Sequence, residues 1–391
     1  MSEHDRPVRL GIVGLGNMGQ AHARSVLEGR VPGLELVAVA DAEPARLAAF
    51  PQLRHFGDAE RLIASGAIDA LLIATPHFSH TTIGIAALQA GLHVLVEKPI
   101  SAHKADCEKL IAAYQPPPGR AQIFAAMFNQ RTDPRYRKLK ALIEAGALGR
   151  LQRINWIITD WFRTEHYYRS GQWRATWAGE GGGVLLNQCP HQLDLWQWLF
   201  GLPQRVIARC QFGRYHDIEV EDSVTALLEY ESGVQGVFIT TTGEAPGTNR
   251  LEVVGEDARV VIDQGDALQL TRNEVSSATF SRTSHESFAK PAATTSTLTM
   301  TEAAPQHLGI LINFVNAIQG REPLLAPAVE GIHSVELANA MLWSSLRDQP
   351  VVLPLDGAAF AADLQPLMST SRFAAKAPAA VVPVADMSRS F

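Results

Sequence analysis

The chain has 391 residues, 46% of them apolar and 19% charged, with a formal net charge of −6. That length exceeds one compact core and points to two domains; the apolar fraction excludes global disorder, and the acidic balance argues against a nucleic-acid or anionic-membrane surface. Three cysteines without a CxxC spacing suggest neither a disulfide framework nor a thiolate zinc site, and there is no apolar run of the roughly 18 residues that span a bilayer, so a cytoplasmic protein with no membrane or nucleic-acid partner is expected.

From Val8 to Val96, short β-branched runs alternate with helical stretches, the pattern of a parallel sheet covered by helices. Strands are expected over 9–16 (RLGIVGLG), 34–41 (LELVAVAD), 67–76 (AIDALLIATP) and 93–99 (HVLVEKP), and helices over 19–29, 44–50, 80–91 and 101–114. PPPG at 116–119 breaks the chain before a last strand within 120–130 (RAQIFAAMFNQ). Right-handed crossovers would wind this series into a doubly wound sheet. Beyond Asn129 the rhythm changes to long strands over 151–161, 204–212, 223–242 and 249–263, with Ser232-Gly233 as a hairpin turn, and the sheet should be mostly antiparallel. Helical spacing returns at 135–146, 306–320 and 329–348. The Ser/Thr/Ala-rich stretch 276–301 and the Ala/Pro-rich C-terminus read as loop and tail. The expected fold class is α/β: an N-terminal Rossmann dinucleotide-binding domain over 1–128, a substrate-binding and oligomerisation α+β domain with a large, mostly antiparallel sheet over 129–358, and a C-terminal extension over 359–391.

Gly14-Leu15-Gly16-Asn17-Met18-Gly19 joins the first strand to the first helix, the context in which GxGxxG carries weight. Gly14 suits the tight turn, Gly16 the close approach of a pyrophosphate, and Gly19 helix packing, while the helix N-terminus favours phosphate charge. Asp41 closes the second strand, where a carboxylate accepts from a ribose diol and repels a 2′-phosphate, so NAD is preferred over NADP; Arg46 slightly weakens that exclusion, and Asp41 also suits a helix N-cap. Val96-Glu97-Lys98-Pro99 ends a strand at the carboxyl edge of the sheet, where doubly wound folds bind ligands. Proline turns the chain there, fixing Lys98 at the cleft, although a strand-end lysine taken alone is more often a solvated charge.

With IATP followed by His80, GLHVLVEKP, FNQR at Phe128 to Arg131 and GGGVLLNQCPHQLDLWQWLFG in this order, the chain resembles the Gfo/Idh/MocA family of NAD(P)-dependent sugar and polyol oxidoreductases over roughly residues 8 to 355. The resemblance implies a Rossmann domain followed by an α/β domain whose sheet mediates oligomers, as a homodimer or homotetramer, and whose loops bind a small carbohydrate. It matches Lys98 and His191 to the family's catalytic lysine and histidine. It sets Gly14, Gly16, Asn17, Met18, Asp41, Thr75, Pro76, His80, Glu97 and Lys98 beside the cofactor. Asn187 stands where the family often has an aspartate.

In LLNQCPHQLD, Asn187 reads as an N-cap, and Pro190 is tolerated only in a first helical turn, so His191 should lie just inside a helix start. Asn187, His191, Asp194 and Trp198 then share one face, and the positive helix end keeps His191 neutral and able to accept a proton. A metal is not expected, because Asn and Asp at these spacings lack a third strong ligand; a histidine satisfied in the core is the remaining alternative. The loop carrying Asp160 to Arg163, Tyr167-Tyr168-Arg169 and Trp173-Arg174 is dense in rings and guanidiniums suited to sugar faces and hydroxyls or an anionic group, with about half of the rings expected to be structural. Arg163, Tyr168, Trp173, Arg174, Asn187 and Asn129 are the expected substrate residues. The reaction expected is oxidation of a secondary alcohol, His191 taking the hydroxyl proton and Lys98 stabilising the oxygen's charge, with Asp194 orienting the helix or His191. The alternatives are an NAD-dependent glycoside hydrolase on the same scaffold, with Glu165, Tyr167 or Tyr168 as its extra acid or base, and a non-catalytic dinucleotide sensor that the presence of Lys98 and His191 disfavours.

Overall fold

The structure, a computed structural model, describes residues 6–372 apart from 117–121, 172, 264 and 266. Most of the expected PPPG break and the chain beyond 372 therefore lie outside the described residues.

The first sheet contains β1 (Val8–Val13), β2 (Leu34–Ala40), β3 (Arg54–Phe56), β4 (Ala70–Ile73), β5 (His93–Val96) and β6 (Phe124–Ala126) in the order β3-β2-β1-β4-β5-β6, with every described pairing parallel. All four residues of β4 are buried, as expected of a strand with helices on both faces rather than one in water. The order reverses between β1 and β4, so the ends of those two strands open a crevice beside the first glycine turn. Leu10, Ile12, Leu72 and Val94 share their core with Ile310, Leu311 and Phe314 of the helix Gln306–Ile318. The chain thus returns to its first core after building the second, and a boundary drawn at 128 assigns that helix to the wrong core.

The second sheet contains β7 (Leu151–Ile158), β8 (Arg205–Phe212), β9 (Glu221–Glu229), β10 (Gln235–Thr241), β11 (Asn249–Gly255), β12 (Ala258–Ile262), β13 (Ala267–Asn273), β14 (Ala293–Thr299) and β15 (Val351–Val352), in the order β14-β13-β12-β11-β7-β10-β9-β8-β15. Among the described strands of this sheet, only β7 and β10 pair in parallel. β9 and β10 form the hairpin expected at Ser232-Gly233, and Gly233 takes the left-handed conformation, φ +85°, that the turn requires. One face buries Ile154, Trp156 and Ile158 in a second core, which the helices Pro190–Phe200 and Gly331–Arg347 also line; Arg153, Ile157, Leu227 and Ile239 point from the other face and are only half-buried.

Two expectations fail here. Residues 276–301 are not all loop: they contain the helix Ser277–Thr283 and β14, whose threonines pair with β13 across Thr271 and Thr295, because β-branched side chains suit a strand once an edge is offered. The expected tail begins as a helix, Gly357–Ser369, capped by Asp356 and burying Phe360 and Leu364 in the second core. Its alanines are good helix formers, and two apolar side chains suffice to dock it. No helix among the described residues is long and apolar enough to cross a membrane.

Candidate active site

The glycine turn is shaped as its spacing requires. Gly14 has φ +88°, and a Cβ there would meet Ala74 O at 2.6 Å, while a Cβ on Gly19 would meet Gly14 O at 1.8 Å. At Gly16 a Cβ would meet nothing within 4 Å. Gly16 is also the N-cap of the helix Asn17–Leu27 and supplies no side-chain cap, and a helix start without a side-chain cap suits a pyrophosphate. Asp41 lies beside this turn: its carboxylate accepts from Leu15 N at 2.6 Å and from Glu43 N at 2.8 Å, with Arg46 at 3.4 Å. These bonds fix its orientation and leave lone pairs for a ribose diol. The residues present fit a dinucleotide of the NAD type.

β4 delivers Thr75 and Pro76, and β5 delivers Glu97 and Lys98, to the same edge. His80, expected beside the cofactor, is instead fully buried, with Nδ1 2.8 Å from Pro99 O and Nε2 2.7 Å from Thr75 O. Burial draws its pKa down, so the neutral ring donates to one carbonyl at a time and ties the two strand-end loops together. Glu97 is likewise engaged within the protein: Oε1 lies 2.7 Å from His22 Nε2, and Oε2 accepts from Lys98 N at 3.2 Å. Burial pushes its carboxyl up, but the bond and charge of His22, with His307 and Lys98, outweigh this and hold it at about 2. Lys98 itself reaches across the cleft and donates to Asn187 O at 2.9 Å. Burial lowers the Lys98 pKa and Arg174 and Arg163 push the same way, against the carboxylates of Glu97 and Glu180.

The opposite wall begins at the triple glycine. A Cβ on Gly183 would stand 2.0 Å from Glu221 O, so no larger residue fits, and the Glu221 carboxylate accepts from Gly183 N and Leu185 N to cap the short helix Val184–Asn187. Asn187 ends that helix rather than capping the next one. Cys189 takes the N-cap position and Pro190 the first turn of Pro190–Phe200, because proline has no N–H to continue the earlier helix. His191 follows, buried, with Nδ1 lacking a hydrogen-bond partner among the described residues. Its pKa falls well below the ordinary histidine value, through burial first and then the charges of Lys98 and His307. The expected neutrality holds, with burial as its main cause. Asp194 does not orient His191; it binds Arg131 through two bonds of 2.6 and 2.8 Å, and Trp198 lies against that same guanidinium.

Within the aromatic loop the structure separates neighbours that look alike in sequence. Tyr168, expected to meet substrate, is buried with its hydroxyl donating to Thr242 and its ring against His216. Tyr167 takes the site-facing position: its hydroxyl donates to Asn187 Oδ1 at 3.1 Å and accepts from Arg174 at 2.8 Å and Gln188 at 3.2 Å. Arg174 lies over both Tyr167 and Trp173, Trp173 meets His77 edge-on, and Arg163 lies over Tyr167. Asn129 is fully buried and donates to Gln306, while its Oδ1 has no hydrogen-bond partner among the described residues. Sequence reasoning missed Glu180, which is buried against Asn187 and Ala175 N, and the pair His22 and His307, whose rings meet edge-on at 5.6 Å. Glu180 sits directly before the triple glycine, the one local signal that marks it. Among the described residues no group of three His, Cys, Asp or Glu side chains is placed to hold a metal ion.

Residues 8–123 match an oxidoreductase family with an NAD-binding Rossmann fold, and residues 136–261 match the GFO/IDH/MocA C-terminal domain. Inositol 2-dehydrogenase 1 of Saccharopolyspora erythraea is 36% identical over 257 residues, 64% of this chain and 72% of that protein. A 1-carboxy-3-chloro-3,4-dihydroxycyclohexa-1,5-diene dehydrogenase of Comamonas testosteroni is 32% identical over 254 residues, 63% of this chain and 61% of the length of that relative. The solved WlbA dehydrogenase of Bordetella pertussis, in complex with NADH and UDP-GlcNAcA, superposes with a TM-score of 0.74 at 25% identity, covering 90% of this chain and 100% of that one.

Proposed function

Because the chain belongs to the Gfo/Idh/MocA family of NAD-binding oxidoreductases, we propose that it oxidises a secondary alcohol of a sugar, glycoside or cyclitol. Bound NAD supplies the hydride acceptor, C4 of its nicotinamide. The observation that carries the reading is the bond from Lys98 Nζ to Asn187 O, which draws an ammonium to the segment that presents a buried, neutral His191 four residues on.

The two groups differ in the way the reaction needs. His191, neutral at pH 7, takes the hydroxyl proton. Lys98 has one ammonium hydrogen on the Asn187 carbonyl and two left to donate to the same substrate oxygen as its negative charge develops. Tyr167, Trp173, Arg163 and Arg174 read the ring and its substituents through aromatic faces and guanidinium donors. Cyclic alcohols in the names of the relatives, an inositol and a dihydroxycyclohexadiene, support the ring class. The half-buried apolar side chains on the open face of the second sheet support a homodimer or homotetramer, which sedimentation at micromolar concentration tests.

The deciding experiment incubates the protein with NAD and a panel of inositols, glycosides and sugar acids. NADH should accumulate in step with a ketone product. Release of an aglycone without net NADH would instead establish redox-neutral hydrolysis, and absence of either product across the panel would remove the alcohol-ring assignment.

A further inference from the structure

Glu180 is a carboxylate in an unusual place. Its side chain comes from the short helix Trp177–Glu180 and is 2% exposed. One oxygen accepts from Ala175 N at 2.7 Å and the other from the Asn187 side-chain amide. The remaining amide atom, Asn187 Oδ1, accepts from Tyr167 and from Gln188. Asn187 Oδ1 therefore has both lone pairs taken by protein, and the amide can offer a substrate hydroxyl only the second hydrogen of its nitrogen. Asn187 also offers the cleft its main-chain carbonyl, and Lys98 is bound there.

We propose that Glu180 is the positioning residue for Lys98: it locks Asn187 so that the main-chain carbonyl receives the ammonium, and its own buried charge keeps that ammonium protonated while substrate is oxidised. The inference rests on the role given to Lys98 above.

The charges around Lys98 bear this out. Burial opposes its charge first; Glu97, charged and bonded to His22, is the larger support, Glu180 adds to it from across the cleft, and Arg174 and Arg163 oppose both. The imidazoles of His77, His80, His191 and His307 lie within the same field, yet burial holds each below the ordinary histidine range, so they add little charge at neutral pH. The Cys189 thiol, pushed by burial up to about 12, adds none. Around Glu180 itself, burial lifts the carboxyl above its ordinary value, and Asn187, Arg174, Ala175 N and Lys98, which favour the charged form, offset only part of that rise. Tyr168, raised by burial, stays neutral, and Glu221, pushed by burial up to about 7 with Glu180 raising it further, moves down in Glu180→Gln, so the comparison is read on the alkaline limb above that range.

The test moves the charge without removing it. Glu180→Gln alone sets an amide N–H against a donor, either Ala175 N or the Asn187 amide, and deletes the charge. The exchange Glu180→Gln with Asn187→Asp restores every bond: the glutamine oxygen accepts from Ala175, its nitrogen donates to the new carboxylate, and Tyr167 and Gln188 still donate to that group. Lys98 must be charged to work, so turnover falls as pH rises through its pKa. Removing a nearby negative charge lowers that pKa, and the alkaline limb of kcat should move to lower pH in Glu180→Gln, costing about tenfold in turnover on the limb, and return in the exchange variant. NADH affinity should change little in either. The rate at which a small amine-acylating reagent modifies Lys98 at fixed pH, read by mass spectrometry, should rise in the single variant and return in the exchange. An unmoved limb and unmoved acylation in folded Glu180→Gln, with Lys98→Ala inactive, would overturn this inference and leave the proposed function standing. Full turnover in Lys98→Ala would remove the proposed function, and this inference with it.

Discussion

Asp194→Ala tests whether the helix carrying His191 is anchored by the buried pair it forms with Arg131. Both side chains are 1% exposed, joined by bonds of 2.6 and 2.8 Å, and Arg131 also binds Glu330 at 2.6 Å. Two charges roughly 4 Å apart at an effective dielectric near 20 attract by about 4 kcal/mol. Orphaning one partner of a buried pair costs about 3–5 kcal/mol. Glu330 remains to share the Arg131 charge, which places the loss near 3 kcal/mol. At a denaturant slope of about 3 kcal/mol per molar, urea unfolding followed by tryptophan fluorescence should shift its midpoint down by about 1 M. Trp198 lies against the Arg131 guanidinium and will report locally. The pair Arg131→Met with Asp194→Leu should recover much of the loss, because no buried charge is left without its partner. A midpoint shifted by less than about 0.2 M in Asp194→Ala would refute the reasoning and show that water reaches the pair.

Lys98→Ala should lower turnover by about a hundredfold or more, the scale for one donor to a developing oxyanion, and His191→Ala by about a hundred- to ten-thousandfold; steady-state kinetics on a confirmed substrate should show that the two losses do not add, because both groups act on one oxygen. Asp41→Ala should narrow a preference for NADH over NADPH in a fluorescence titration, and equal affinities in the unaltered protein would contradict the ribose role of Asp41. Burial depresses the His191 pKa, so the base stays neutral as pH falls through 6.5 and kcat should be flat between about pH 7 and 6. An acid limb centred at the ordinary histidine value would contradict the buried, neutral state.

Sequence by itself determined the features whose chemistry is complete within a few consecutive residues. Gly14, Gly16 and Gly19 announce a strand, a turn and a helix start because each needs the absence of a side chain at one place in one turn, and Asp41 follows at the end of the next strand. Pro190 announces a helix start because it has no N–H, which is why the position of His191 was readable although its cap was not: Cys189, not Asn187, stands there. Lys98 could be placed at the sheet edge by the strand that precedes it. Tertiary structure alone decided partners. Tyr167 and Tyr168 are adjacent, and only packing turns one toward Asn187 and the other toward Thr242. His80 looked like a cofactor contact until its ring met the carbonyls of both Thr75 and Pro99, and whether Asp194 holds its helix or His191 was open until Arg131 arrived from 63 positions away. Helical and strand periodicity specifies which face a side chain leaves from, but a hydrogen bond or ion pair is settled by which remote group the folded chain brings within about 3 Å, and no local pattern encodes that.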